Sequence, residues 1–273
     1  MRVTAVLAIR DEETYLANCL RELVRAGVDI AVIDNGSTDA SASIYRRPEF
    51  AGNVVAVETF PYTGRFSLDA QLRCKSALID RLTTDWVIHI DADEVMHSYR
   101  AGETLHDALS RVAAAGYNVV DFDEFVFLPI ETEYVPEASG DQALQYYYFF
   151  QPSAPRLMRA WRKAGGFSML EHAGHRLTGD DIRLAPETFA LRHYMFRNQE
   201  HAFEKYRARA FAEDELAKGW HRARAGKPRE VFAFPPAKVL KRMADPSRRD
   251  LDRSEPWTKH YWQSQRGRAD ETQ

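Results

Sequence analysis

The apolar run Trp86-Val87-Ile88-His89-Ile90 ends in Asp91-Ala92-Asp93-Glu94. Two carboxylates with one small residue between them, at the tip of a buried strand, suit a hard divalent cation. Mg2+ and Mn2+ prefer oxygen ligands and keep positions open for phosphate. An isolated Asp-x-Asp is usually surface charge; the strand-like run before this one sets it apart. Two further sets follow apolar runs in the same way. Val32-Ile33 leads into Asp34-Asn35-Gly36-Ser37-Thr38-Asp39, and Ala8-Ile9 leads into Arg10-Asp11-Glu12-Glu13. Clustered carboxylates repel one another, so packing does not account for three such sets, whereas a cation or a donor-rich ligand does.

The elements that must position these residues are legible in the spacing. Residues 3–9 (VTAVLAI), 28–34 (VDIAVID), 54–57 (VVAV) and 86–90 predict short buried strands. Leu16, Cys19, Leu20, Leu23 and Val24 recur at helical spacing, with Gly27 as a stop, and residues 66–82 predict another helix. Ser37, Thr38 or Asp39 is placed to cap the helix after the second strand. Alternating strands and helices predict a parallel sheet covered on both faces. Ligands bind such sheets outside the carboxyl ends of the strands, which is where the three acidic sets converge. Beyond residue 115 the pattern changes. Residues 117–128 predict a strand with one exposed face, 129–152 a long irregular stretch, 155–160 and 187–194 short strands, and 199–219 one long helix. The aromatic run Tyr146–Phe150 suits core packing better than a sugar platform.

The pairing of Asp34-Asn35-Gly36-Ser37-Thr38-Asp39 with Asp91-Ala92-Asp93-Glu94 resembles the family-2 glycosyltransferases with the GT-A fold. Ala8-Ile9-Arg10-Asp11-Glu12, followed by Leu16 and Leu20, fits that family's first strand and helix, while Asn35 stands where some members carry a second Asp. The resemblance covers about residues 1–100 and thins to spaced residues through about 210. It implies an α/β fold with a Rossmann-like, mostly parallel sheet flanked by helices, a smaller mixed acceptor-side region and a C-terminal helical extension. The implied boundaries are 1–198 for the catalytic domain (1–100 nucleotide-binding, 101–198 acceptor-side), 199–263 for the extension and 264–273 for a disordered tail.

The implied activity is metal-dependent, inverting transfer of a sugar from a nucleotide-sugar donor, expected to be UDP-linked, to a hydroxyl of a cell-surface glycan or glycolipid. Under the resemblance Glu12 and Asp34 would accept hydrogen bonds from base or ribose, Asp91 would lie near ribose and metal, and Asp93 would bind Mn2+ or Mg2+. Arg10, Arg73 and Lys75 would reach phosphate, although Arg73 and Lys75 equally suit a solvated helix face. Glu171-His172-Ala173-Gly174-His175-Arg176 begins 78 residues after Asp93, about the interval at which the family places an acidic base. Glu171 is the base candidate, with Asp180 and Asp181 as alternatives and a structural ion pair with Arg176 as the competing role. His175 and Arg176 would contact the donor sugar or the acceptor, or His175 would pack in the core. In Leu191-Arg192-His193-Tyr194, His193 would complete the metal shell, though a lone histidine is more often structural. Arg197, Lys205 and Arg207 would face the diphosphate or an anionic acceptor, or solvent.

Composition bounds these expectations. The chain has 273 residues, 45% hydrophobic and 28% charged, which suits a soluble globular protein and excludes collagen-like or wholly disordered classes. No apolar run reaches the length of a spanning helix, and MRVTAVLAIRDEE lacks the pattern of a secretory leader, so a cytoplasmic protein is expected. Cys19 and Cys74 match no metal or redox spacing and predict buried free thiols. Residues 1–196 carry 19 basic and 28 acidic side chains, and residues 197–273 carry 18 and 12. The basic C-terminal third predicts contact with an anionic acceptor or with the inner face of a membrane, against the plainer alternative of a solvated helical face. The net charge of −3 argues against nucleic acid as a partner. Two other functions compete. A sugar nucleotidyltransferase would need a glycine-rich loop where this chain has Arg10-Asp11-Glu12-Glu13. A silent nucleotide- or glycan-binding module would not need the Asp91–Asp93 pair.

Overall fold

The computed structural model describes residues 1–136, 143–207, 209–221, 223–243, 245 and 249–263. The chain forms two compact units. The first comprises Met1–Tyr62, Leu68–Asp123 and Pro155–Leu191; the second comprises Thr63–Ser67, Glu124–Ala154 and Arg192–Gln273. This division differs from the expected boundary near residue 198, because the second unit is assembled from three stretches rather than appended. The expected tail at 264–273 lies outside the described residues.

The first unit is built on parallel strands. β1 (Val3–Ile9) lies between β2 (Asp29–Asp34) and β4 (Trp86–His89), and β3 (Val54–Thr59) pairs with β2 at the edge. The VTAVLAI and DIAVID segments carry almost unbroken apolar side chains and are buried nearly throughout, as a strand covered on both faces requires. Ile9 pairs with Asp34 and Val6 with His89, so β1, β2 and β4 all leave the sheet at the same edge. β8 (Met158–Arg162) runs antiparallel between β4 and the first residues of β6 (Val119–Leu128), and β5 (Glu94–His97) pairs with β9 (Phe189–His193).

α1 (Glu13–Arg25) buries Tyr15, Leu16, Cys19, Leu20 and Leu23, the stripe expected from their spacing. Gly27, at φ +73°, turns the chain after it. α3 (Leu68–Arg81) places Leu72, Leu78 and Ile79 in a core with Val6, Ile33, Val87, Met158 and Trp161. Each such side chain, fully buried, stabilises the fold by about 1.5–3 kcal/mol. The short α2 (Ser41–Ile44) follows β2, and its flanking Ala40 offers no side-chain cap. Asp39, one of the expected caps, accepts hydrogen bonds from the amides of Ser41 at the start of α2 and of Glu13 at the start of α1, at 2.9 Å each. α4 (Leu105–Ala114) carries its own cap, Thr104, which accepts from the Asp107 amide.

In the second unit, Glu124–Leu128 of β6 pairs antiparallel with β7 (Tyr146–Phe150), and β7 pairs with β10 (Lys241–Arg242). The expected exposed face of 117–128 is absent: every residue of β6 is buried. Its acidic side chains are tolerated because each is hydrogen-bonded. Asp121 accepts from the amides of Arg156 and Leu157, Asp123 from the hydroxyls of Tyr99 and Thr188, and Glu124 bonds His193. The expected single helix over 199–219 is two helices, α5 (Gln199–Arg207) and α6 (Glu213–Ala217). Between them the Phe66 amide donates to the Ala210 carbonyl, and the Ala212 amide donates to the Phe66 carbonyl. Backbone committed to that bridge cannot continue a helix. The rest of the expected helical extension is mostly irregular, with single 3-10 turns at Arg229–Phe232, Ala237–Val239 and Tyr261–Gln263. Pro228, Pro235, Pro236 and Pro256 interrupt it. The core of this unit is aromatic, with Tyr148, Phe150, Phe196, Tyr206, Phe232, Trp257, Tyr261 and Trp262 packed around Val126 and Leu128. No described helix is long and apolar enough to cross a membrane.

Candidate active site

Two loops meet where β1 and β2 leave the sheet. Asp34 is 5% exposed, and its carboxylate accepts from the Ser37 amide (2.8 Å) and the Tyr45 hydroxyl (3.1 Å). The Asn35 side chain donates to the Phe60 carbonyl, and Gly36 supplies the φ of +67° that closes the turn. Arg10 donates to the carbonyls of Asn35 and Gly36, and its guanidinium lies 3.6 Å from the centre of the Tyr62 ring. Asp11 adopts φ 54° and accepts from the Thr38 amide at 2.6 Å, while the Glu12 amide donates to the Ser41 hydroxyl. Asp34 and Arg10 therefore shape the 34–39 loop, rather than standing apart as simple ligand contacts.

The end of β4 is more highly charged. The Asp91 side chain is 47% exposed, and beneath it lie two buried cations. Lys75 Nζ is 3.5 Å from Asp91 and Arg159 Nη2 is 3.8 Å from it, with side chains only 3% and 6% exposed. Lys75 also donates to the Ile90 carbonyl, and burial pulls its ammonium below the usual range while Asp91 opposes that shift. Arg159 also reaches Glu94 at 3.6 Å, and Glu94 accepts from the Asp91 amide at 3.0 Å. Cys19 donates its S–H to the Asp91 carbonyl. Burial pushes this thiol well above its ordinary value, and the charges of Glu94, Asp93, Asp91 and Glu12 push it further. Cys19 is free and buried as expected; Cys74 is free but only half-buried.

Lys75 and Arg73, both expected to reach phosphate, lie in different environments. Two residues along a helix is a turn of about 200°, so when Lys75 points inward beneath Asp91, Arg73 faces solvent, where it pairs with Asp69 at 2.7 Å. Lys75 supports Asp91 from below.

Glu171 is exposed on the loop between β8 and β9 and accepts from the Thr178 hydroxyl at 3.2 Å. A Ser168–Thr178 bridge closes that loop. Gly174, at φ +75°, packs so tightly that an added Cβ would lie 2.5 Å from His89 Cε1 and 3.0 Å from Leu72. The loop bearing Glu171, His175 and Arg176 is thus anchored beside the end of β4. His175 is exposed rather than packed in the core, and Arg176 is exposed with it. His89 is buried. Burial first, then the nearby charges of Lys75, Arg159 and His175, hold it well below the ordinary histidine range. The alternative bases lie elsewhere. The Asp181 carbonyl accepts from Asn118, whose own carbonyl bonds the Arg162 amide. Arg162 pairs with Trp86 at the start of β4, so Asp180 and Asp181 sit at the opposite edge of the sheet from Asp91.

In the second unit His193 is hydrogen-bonded through Nδ1 to Glu124 at 2.7 Å, with side chains 15% and 4% exposed. A carboxylate at Nδ1 favours the tautomer whose lone pair is on Nε2, the arrangement by which metal-binding histidines are commonly oriented. Lys205 donates to the Met195 carbonyl, so it braces the chain around α5; the Arg207 side chain lies outside the described residues.

Sequence reasoning missed Arg159, His89 and Glu124. Each was marked only by a polar residue inside an otherwise apolar run, MRAWR, WVIH and EFVFL. Among the described residues, no three His, Cys, Asp or Glu side chains form a preformed metal cage.

No family profile and no curated protein matches the chain. Several solved structures resemble it. S. aureus TarS 1–349 in complex with UDP-GlcNAc shares 13% identity at a TM-score of 0.42, over 76% of this chain and 64% of that one. Mannosyltransferase PcManGT from Pyrobaculum calidifontis, in complex with GDP-Man and Mn2+, shares 23% identity at 0.33, over 44% and 34%. Glucosyl-3-phosphoglycerate synthase from Mycobacterium tuberculosis, in complex with Mg2+ and UDP, shares 18% identity at 0.30, over 45% and 43%. The chain spans less than two thirds of the length of each.

Proposed function

We propose that the protein is a GT-A-type glycosyltransferase that moves a sugar from a nucleotide-sugar donor to a hydroxyl acceptor with inversion. The observation that carries this proposal is the position of Glu12 just past β1 and of Asp91 and Asp93 just past β4, at the carboxyl edge of a parallel sheet, where such folds bind ligands. Asp91 and Asp93 fit a divalent ion, since both offer hard oxygen. The absence of a preformed cage is compatible with Mg2+ or Mn2+, which commonly take one or two carboxylates and complete their shell with water and phosphate. Asp93 and Asp91 would hold the ion, which when bound supplies charge to stabilise the departing diphosphate.

The chain's own residues do the rest. Asp91 presents its outward carboxylate to the donor while Lys75 and Arg159 fix it from below. Asp34 and Arg10 hold the 34–39 loop, and Glu12 offers an acceptor for base or ribose. Glu171, exposed on its anchored loop, takes the proton from the acceptor hydroxyl as that oxygen attacks the anomeric carbon. His175 and Arg176 flank it and contact sugar or acceptor. The acceptor is a glycan or glycolipid, and the basic C-terminal third favours an anionic one, at a membrane surface or in solution.

A thermal-shift screen of UDP-, GDP- and dTDP-sugars with and without Mn2+ tests the proposal. A ligand at 100 times its Kd stabilises the folded state by about 2.7 kcal/mol, so the true donor class gives a metal-dependent rise in Tm. No shift with any nucleotide sugar contradicts the proposal. Binding without transfer to any acceptor pool would instead favour the silent binding module.

A further inference from the structure

We infer that Arg159 is a positioning residue for donor binding, holding Asp91 and Glu94 together at the end of β4. The inference rests on Asp91 being a donor contact. Arg159 Nη2 lies 3.8 Å from Asp91 and 3.6 Å from Glu94. It follows Met158 on β8, one step beyond the Ile88–Ala160 pair, so the sheet register carries it to the tip of β4. At 6% side-chain exposure it lies beneath the surface, whereas the Asp91 side chain it approaches is 47% exposed. Arg159 therefore acts through Asp91 and not on the donor directly.

The chemistry explains why an arginine is needed. Glu94 is 2% exposed and accepts from the Asp91 amide, so two carboxylates of one short turn are held close together. Like charges at that range disfavour ionisation or push apart. Lys75 is a point charge on one side of Asp91, at 3.5 Å. The Arg159 guanidinium brings a single nitrogen, Nη2, to 3.8 Å from Asp91 and 3.6 Å from Glu94, so one positive charge compensates both carboxylates. Removing one partner from a buried ion cluster leaves the others uncompensated, and here the uncompensated group would be Glu94, pressing on Asp91.

The test is calorimetric titration of the full chain with Mn2+–UDP and Mn2+–GDP, using wild type, Arg159→Met, Arg159→Lys and Arg159→Met/Glu94→Gln. We expect Arg159→Met to weaken nucleotide binding at least tenfold and the added Glu94→Gln to recover at least threefold, because it removes the uncompensated charge. A role confined to packing predicts no recovery, since the second substitution only perturbs a buried site further. Arg159→Lys keeps the charge on a shorter side chain that falls short of the Nη2 position, so binding weakens at least threefold with native-like melting; this variant decides if Arg159→Met fails to fold. Binding within twofold of wild type in Arg159→Met or Arg159→Lys, or no recovery in the double variant, overturns the role of Arg159 alone. If the wild-type chain binds neither nucleotide, the donor site itself falls, and the role of Arg159 falls with it.

Discussion

Asp39 shows how a polar side chain near the site serves structure first. Partial burial pushes its pKa up, but hydrogen bonds from Ser41 and from the Glu13 amide outweigh this and hold it below the ordinary value. A carboxylate with a depressed folded-state pKa contributes stability above its unfolded pKa of about 3.9, and that contribution fades as pH falls through the folded value. Asp39→Ala is expected to destabilise the protein by about 1 kcal/mol at pH 7. Urea unfolding below about pH 3 should show the gap to wild type closing; a gap that persists in acid contradicts the assignment. Glu171 differs in kind, since it is exposed and its carboxylate accepts from the Thr178 hydroxyl of its own loop. Glu171→Gln is expected to lower turnover by about 100- to 10,000-fold with nucleotide affinity unchanged, as single-turnover and binding assays would show. Full activity in that variant removes Glu171 as the base. At this scale the sequence displayed the chemistry of Asp91 and Asp93 but not the burial of their neighbours. Lys75 and Arg73 look alike in a string of letters, and only the helix phase separates a buried support from a solvated ion pair.

The strands and helices that carry the site were legible because they obey simple periods. Apolar runs such as VTAVLAI and the stripe from Leu16 to Leu23 form the elements they predict. The misjudged elements are those fixed by distant partners. β6 looked half-exposed because Asp121, Asp123 and Glu124 are acidic, yet amides and hydroxyls from elsewhere in the chain satisfy them. The helix expected over 199–219 breaks because Phe66, more than 140 residues earlier, takes the backbone of Ala210 and Ala212. The 169–178 loop has no period at all, and its geometry rests on Gly174 against His89. Gly174→Ala combines an unfavourable φ with a clash and should destabilise by about 2–4 kcal/mol, with turnover falling as the Glu171 loop shifts. Denaturant unfolding measures the first effect and a transfer assay the second; an unchanged midpoint contradicts this anchoring.

Across the whole molecule, charge is divided between the acidic body and the basic C-terminal third. Several of the third's basic side chains are already paired, as Lys218 with Asp214, Arg229 with Glu200 and Lys241 with Asp252, so the remaining excess must supply any attraction to an anionic acceptor. Sedimentation with anionic lipid vesicles should show binding that fades between low salt and 0.3 M, as the Debye length falls below about 10 Å. Binding that ignores salt contradicts an electrostatic contact, and no binding leaves a soluble acceptor. The most direct measurement concerns the acidic edge itself: calorimetric titration of wild type and Asp93→Ala with UDP and GDP, each with Mn2+ and with EDTA. Wild type should bind one nucleotide in a metal-dependent manner, and Asp93→Ala should lose that binding by at least about 100-fold, the upper end of what removing a group behind a metal ligand costs. Equal affinity in the two proteins, or equal affinity with and without metal, would contradict a carboxylate-held ion gripping a nucleoside diphosphate.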